Sequence, residues 1–418
     1  MNKEPDLVIV GAGPAGLAAA REAARQGIDD ILVIDRDDAP GGLPRFCNHP
    51  GFGLEYAFWP YRGPRFAQKQ MRDLAHTKVR VDCATTLVAL SEGPVIEIVG
   101  PRLGYRQLRP RAVVLATGIR EAHRGNRMIP GARPEHGILT TGQLQQLVAR
   151  QVPLSPHIKR LAVIGTEHVA FSALWTARHG GYHVTSLIGE ESTIRSFAPA
   201  RFLAAIFGAE IVLEAQVSEI VAEGNRVTAI RYEKQGQSAT LACDGVVFTA
   251  DWIPETAALH GSGLALDAKA RGPVIDQAMR TSLAGVFAAG NMLRAVESSG
   301  WAANEGRQAG HMAARFLHGR LSPVQGRTRL IAGDGLAYVV PQRWDAALAH
   351  DETMPGLKPS LRARSDARSA RLLLAQESVA PWTGPARHFR PHRRIGLDLD
   401  RTMPATDTDC HISLTPSS

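Results

Sequence analysis

One stretch near the start of the chain, DLVIVGAGPAGLAAAREAARQGIDDILVIDRD over residues 6–37, admits few folds. After Asp6, residues 7–10 run apolar without a polar break, which predicts a short strand buried on both faces. Gly11, Gly13 and Gly16 follow at GxGxxG spacing with Pro14 and Ala15 between them, and an alanine-rich helix runs to Gln26 before Gly27 stops it. A second apolar run over 31–34 ends in Asp35, with Arg36 beside it. Gly11 permits the tight turn, Gly13 lets the backbone approach a diphosphate, Gly16 lets helix pack close to strand, and Asp35 can accept ribose hydroxyls. The helix N-terminus adds unpaired N–H groups. The expectation is a parallel α/β dinucleotide-binding unit.

The same frame returns further on, with altered residues. RLAVIGTEHVAFSA, residues 160–173, again passes from an apolar run through a glycine into a helix-forming stretch, and another apolar run follows at 183–188. Laying Gly165 on Gly11 aligns Gly13 with Glu167, Gly16 with Ala170 and Asp35 with Gly189. The second copy is thus expected to keep the fold and lose the ligand. Glu167 puts a carboxylate where a diphosphate needs bare backbone, and it suits the positive end of the helix as an internal substitute. His168 beside it is read as a helix-start hydrogen-bonding group.

Composition excludes several classes. The chain has 418 residues and a net charge of +8, but its 48 basic residues are scattered among 40 acids, so no nucleic-acid stripe is expected. The densest basic run, RHFRPHRR at 387–394, reads as a solvated or partner-facing strand edge. Cys47, Cys83, Cys243 and Cys410 lie far apart without a CxxC, so no disulfide framework, zinc site or iron–sulfur site is expected. No run predicts a membrane span, Glu4 and Asp6 argue against a targeting segment, and the cytoplasm is the expected compartment.

Further motifs complete a family pattern: the pair Gly41-Gly42, Ala116-Thr117-Gly118 at the end of the run 111–121, VVFTADW at 246–252, and FAAGN ending in Gly290-Asn291. With GAGPAG and Asp35, these make the chain resemble the two-dinucleotide-domain flavoproteins, which include disulfide reductases and ferredoxin reductases, over about residues 6–318. The resemblance implies FAD at the N-terminal site, held by Gly11, Gly13, Pro14, Ala15, Gly16, Asp35, Arg36, Gly41, Gly42, Ala116, Thr117, Gly118, Gly290 and Asn291. In that family the last position is usually Asp, bonded to the ribityl chain; Asn291 keeps the hydrogen bond without the charge. Disulfide reductases carry a cysteine pair soon after Gly-Gly. Here GGLPRFCNHPGFG offers Cys47 alone, so disulfide exchange through an internal pair is not expected. That stretch, with YRGPRFA at 61–67, residues 131–148 and SSGWAANEGRQAG at 298–310, is more similar to FAD subunits of opine oxidase, hydroxyproline dehydrogenase and hydrogen cyanide synthase type.

The expected architecture is α/β, with two Rossmann-like domains and a β-rich C-terminal appendage. The FAD domain is discontinuous, over 1–125 and 255–320; the second domain, over 126–254, is inserted, and the appendage covers 321–418. The appendage could serve as substrate cover, subunit interface or core closure, with interface preferred and residues 407–418 read as frayed. Candidate catalytic residues are Cys47, His49, Glu297, Trp301 and Glu305. Each has a plainer reading: Cys47 as a small buried hydrophobe, His49 as a loop cap, Trp301 as core, and both glutamates as helix-start caps. The expected function is the FAD subunit of a heteromeric dehydrogenase acting on a small polar molecule of amino-acid, opine or polyol type. Its partners would be a second oxidoreductase subunit and an iron–sulfur subunit. A stand-alone NAD(P)H-dependent flavin reductase and a non-catalytic FAD-bound scaffold are the alternatives.

Overall fold

The computed structural model describes residues 4–324, 328–345, 348, 358–377, 379–399 and 408–416. Its first sheet runs Val286–Ala288, Ala112–Leu115, Leu7–Val10, Ile31–Ile34, Arg80–Asp82, all parallel. The strands Leu7–Val10, Ile31–Ile34 and Ala112–Leu115 are buried throughout, as expected of a parallel sheet covered on both faces. The helix Pro14–Arg25 packs against Ser299–Leu317, and glycine sets their closeness. A Cβ on Gly306 would stand 1.9 Å from the Ala15 carbonyl, and one on Gly310 2.2 Å from that of Ala19.

The second sheet repeats the scheme in the order Glu210–Val212, His183–Ile188, Arg160–Ile164, Gly245–Phe248, Ile138–Thr140, again parallel. Each parallel sheet is accompanied by a three-stranded antiparallel meander, Thr86–Ser91 to Gly104–Leu108 in one half and Ala215–Glu223 to Gln237–Ala242 in the other. A two-stranded ribbon, Ile119–Glu121 against Trp252–Pro254, carries the chain out of the first unit and back into it. The second unit is therefore an insertion, because Val286–Ala288 rejoins the first sheet after it.

Two apolar runs shorten in the structure. The run 111–121 splits at Gly118 (φ +74°) into Ala112–Leu115 and Ile119–Glu121, and of 281–292 only Val286–Ala288 is strand. The turn glycines end these strands at the sheet's edge, where ligands meet α/β folds.

The C-terminal region is β-rich, and one expectation for it is overturned. Residues placed in a frayed end form the strand Cys410–Pro416, parallel to Thr328–Ala332 and antiparallel to Ala367–Gln376. Its Cys410 and Ile412 are buried with Leu330, Leu372 and Leu374, so it is central to this sheet. A smaller sheet of Leu336–Val340, Ser360–Ala363 and Ile395–Gly396 faces the first unit. The region is fastened there by Gln342, whose backbone N–H donates to the Ile275 carbonyl (3.1 Å) and whose side-chain oxygen accepts from Ile275 N (3.1 Å).

Candidate active site

At the end of Leu7–Val10 the chain turns at Gly11 (φ +107°), where a Cβ would stand 2.4 Å from the Ala116 carbonyl oxygen. A Cβ on Gly16 would lie 1.7 Å from the Gly11 carbonyl oxygen, so bare backbone is required at both. Gly13 differs: a Cβ there meets no protein atom within 4 Å. Its side of the turn opens on a cavity, and the helix that begins at Pro14 has no side chain capping its first N–H groups. Gly41 donates to the Ala12 carbonyl (2.8 Å), and Gly42 (φ +59°) lies so close to Gly13 that a Cβ would be 2.9 Å from its Cα.

Asp35 closes the turn from the next strand, accepting from Ala12 N at 2.5 Å and Asp37 N at 2.8 Å. Burial pushes its carboxyl above the ordinary value, although these two donors oppose the shift. Arg36 pairs with Glu255 at 3.1 Å. Thr117 donates to the Glu255 carbonyl at 2.7 Å, and Gly290 (φ +78°) meets Ala15 closely. Asn291 accepts from Glu297 N (2.8 Å) and donates to Glu297 O (3.1 Å), so its amide braces the following loop.

The cavity measures about 2420 Å³ and reaches from Gly11 and Asp35 past Glu297 and Trp301 to the second unit and the C-terminal region. Ligand pockets of drug-like size are roughly 300–1,000 Å³, so this one has room for a dinucleotide and more.

The five catalytic candidates all line it, in unequal condition. Cys47 is 2 % exposed, its Sγ donates to the Leu43 carbonyl, and burial pushes the thiol up to about 12. It cannot supply a thiolate near neutral pH. His49 is more than a loop cap: Nδ1 lies 3.0 Å from Pro50 O and Nε2 2.7 Å from Ser172 Oγ, tying the two units together. Burial lowers its pKa.

Neither glutamate caps the helix Ser299–Leu317. Ser298 does, accepting from Trp301 N at 3.3 Å. Glu305 instead faces Arg294, whose side chain is wholly buried, and is also reached by Arg394 at 3.3 Å. Glu297 accepts from Arg362 at 2.6 Å and lies 3.9 Å from Arg294. Burial alone would raise the Glu297 carboxyl, but Arg294, Arg362 and Arg394 outweigh it and hold the pKa below the ordinary value. Trp301 is 37 % exposed rather than core, and the Arg394 guanidinium sits 4.3 Å over its ring.

Sequence reasoning missed Arg294, Arg362, Arg394, Tyr338 and His392. Arg394 and His392 belong to the basic run read as a solvated edge; the structure turns them into the cavity, while Arg387 and His388 stay outside on the strand Arg387–Phe389. The density of that run was a usable signal, but its direction was not.

In the second unit Glu167 occupies the turn, buried, with a short hydrogen bond from Thr249 Oγ1 to its carboxylate. It makes no side-chain cap to the helix His168–His179, which corrects the helix-end role expected for it. His168 likewise does not cap the helix; Nδ1 lies 2.7 Å from Ser196 Oγ and its ring stacks on Phe197. Nor does Ala170 spoil the turn. It packs at zero exposure in the core of this unit, and alanine is compatible with the third position of the fingerprint. Glu167 and Gly189 are the departures that bear on a ligand.

Burial raises the Glu167 carboxyl, so the folded chain holds its proton more tightly than the unfolded one. The stability this group contributes is full below the unfolded value, about 4.3, and is lost as pH rises towards the folded one. Glu167→Gln is therefore expected to melt with wild type near pH 4 and above it at pH 8. Thermal melts across that range check this; a variant less stable than wild type at pH 8 contradicts it.

Two parallel-sheet units around one cavity, the first with an intact dinucleotide turn, define an FAD-dependent oxidoreductase of two-dinucleotide-domain type. The chain belongs to the pyridine nucleotide-disulphide oxidoreductase family, which it matches over residues 5–313. It is 28 % identical over 302 residues to an alkyl hydroperoxide reductase component of Pseudomonas aeruginosa, covering 69 % of this chain and 53 % of that protein. It therefore spans about half the length of that relative. It is 26 % identical over 320 residues to ferredoxin–NADP reductase of Ignicoccus hospitalis, covering 75 % of this chain and 98 % of that one. Thioredoxin reductase of T. acidophilum shares the fold with a TM-score of 0.62 at 23 % identity, covering 75 % and 98 % of the two chains. These relatives are reductases, which corrects the finer resemblance to opine oxidase, hydroxyproline dehydrogenase and hydrogen cyanide synthase subunits. The residues present fit FAD: the open face at Gly13, the uncapped helix start and Asp35 would hold its diphosphate and ribose. Among the described residues no cluster of metal ligands occurs, and no helix is long and apolar enough to cross a membrane.

Proposed function

We propose that the chain takes electrons from a small polar substrate at the Trp301 end of the cavity, with the second dinucleotide fold retained as scaffold. FAD supplies hydride and single-electron chemistry when bound; the protein supplies binding and orientation. The observation that carries this is the Glu167 carboxylate, buried in the second turn where a nicotinamide dinucleotide would need its diphosphate. Gly189, at the end of the strand His183–Ile188, offers no acid to a ribose. The chain's own groups shape the substrate end: Arg362 and Arg294 hold Glu297 as an anion, and Trp301 with Arg394 forms a flat, positively charged wall. The four cysteines are free, and Cys47, beside the site, is buried as a thiol, so onward electrons go to a partner oxidoreductase subunit rather than an internal thiol pair.

The second reading, an NAD(P)H-dependent reductase, is the one that the relatives favour over a heteromeric dehydrogenase subunit, since their names are those of reductases. The two readings separate on one experiment. NADPH or NADH mixed anaerobically with the FAD-loaded chain leaves the flavin oxidised on the first reading and bleaches it on the second.

A further inference from the structure

The family match ends at residue 313, yet one wall of the cavity is built from residues beyond it. That wall presents Lys358, Arg362, Arg364, Arg393 and Arg394, with His392 among them and, among the described residues, no carboxylate of the same region lining it, though Lys358 is paired with Asp398. Arg362 is used up internally: it donates to Tyr338 Oη at 3.0 Å and to Glu297 at 2.6 Å. Arg394 is not. Its side chain is 15 % exposed, one nitrogen lies 3.3 Å from Glu305, and the guanidinium is held flat on Trp301. No other described residue accepts its remaining N–H groups. Arg364 and Arg393 line the same wall without an ion pair or side-chain hydrogen bond among the described residues. Among the described residues, none partners His392 Nε2, which is buried there.

A guanidinium fixed in orientation, with free donors facing a cavity, is arranged for a planar oxyanion, to which arginine can offer two parallel N–H groups. The nearby carboxylates satisfy it only in part: one N–H donates to Glu305 at 3.3 Å, while Glu297 and Glu305 are bonded more closely by Arg362 and Arg294. The excess of positive charge is also felt by the imidazoles. His168 is pushed down to about 4, first by burial and then by His392 and Arg362; His392 is lowered by burial and then by Arg393, Arg390 and Arg362.

We infer that Arg394, with Arg364, Arg393 and His392, forms an anion-holding subsite, and that the substrate is a small molecule carrying a carboxylate or phosphate group. The inference rests on the proposed substrate-side function and deepens it: the C-terminal region selects the substrate by its charge. Trp301 both orients Arg394 and bounds the substrate end of the cavity.

The test is an equilibrium titration of the oxidised, FAD-loaded full chain with sodium acetate and sodium phosphate at constant ionic strength, with acetamide as the neutral control. Flavin absorbance and calorimetry report binding. No electron donor is present, so a wrong assignment of the donor leaves the result untouched. Saturable binding of either anion, absent for acetamide and weakened about tenfold or more in Arg394→Gln, supports the subsite. Tighter acetate assigns a carboxylate substrate, and tighter phosphate a phosphate ester. Should Arg394→Gln lose FAD, the double variant Arg364→Gln/Arg393→Gln decides, because those side chains hold nothing else among the described residues; severalfold weaker binding is expected. Failure of both anions to saturate, equal affinity in wild type and the informative variant, or acetamide binding as well as acetate would overturn the inference.

Discussion

Glutamate at Gly13 is expected to give a folded, colourless protein. The backbone there is extended (φ −79°, ψ −174°), and an added Cβ meets no protein atom within 4 Å, so the chain itself has no objection to the side chain. The objection comes from the cofactor, whose diphosphate needs this space and these N–H groups. Bound FAD should fall from about one per chain to near none, measured as visible absorbance and as flavin released on denaturation. Gly16→Ala fails differently. Its Cβ would stand 1.7 Å from the Gly11 carbonyl oxygen, and backbone cannot yield that far, so helix and strand must separate. A loss of at least about 1–3 kcal/mol is expected, in the range for an overpacked core. Gly13→Glu that stays yellow would remove the basis for placing FAD at this turn; Gly16→Ala that melts with wild type would show that helix and strand are not held this close.

The second large effect concerns Arg294, the bulkiest of the fully buried side chains. Burial works against its charge, and Glu305 and then Glu297 outweigh that cost. Glu305→Ala leaves a buried guanidinium with Glu297 at 3.9 Å as its remaining carboxylate partner. The expected loss is about 3–5 kcal/mol, the range for breaking a buried ion pair from one side. Adding Arg294→Met should recover most of it, because the fully buried charge is removed with its partner and only Arg394, 15 % exposed, loses its 3.3 Å contact to Glu305. Thermal unfolding of the two single variants and the double variant measures the coupling. A double variant as unstable as Glu305→Ala would show that Arg294 does more than balance charge.

How far the sequence could be read follows from the range of the interactions involved. The two turns were legible because strand, glycine spacing and helix are contiguous, and the apolar runs at 7–10, 31–34 and 112–115 marked strands of the first sheet, but not their order in it. The strand Cys410–Pro416 was missed although Cys410, Ile412 and Leu414 alternate with His411, Ser413 and Thr415; what makes it central is pairing with strands some 40 and 80 residues earlier. Glu297 and Glu305 look like caps in the sequence because they flank a helix start, but Ser298 does that work, and their partners Arg362 and Arg394 lie in another region of the chain. No periodicity connects such pairs. Basic density in RHFRPHRR was visible, and only the fold shows that His392 to Arg394 turn inward.

The central claim is that the first turn carries the flavin while Glu167 has closed the second to nicotinamide. Anaerobic rapid mixing of the FAD-loaded chain with excess NADPH, and separately NADH, tests it most directly. The account predicts that flavin absorbance holds steady with either nucleotide. Saturable bleaching by one of them, lost on mutation of the second turn but not of Arg394, would contradict it and make this chain a nicotinamide-dependent reductase.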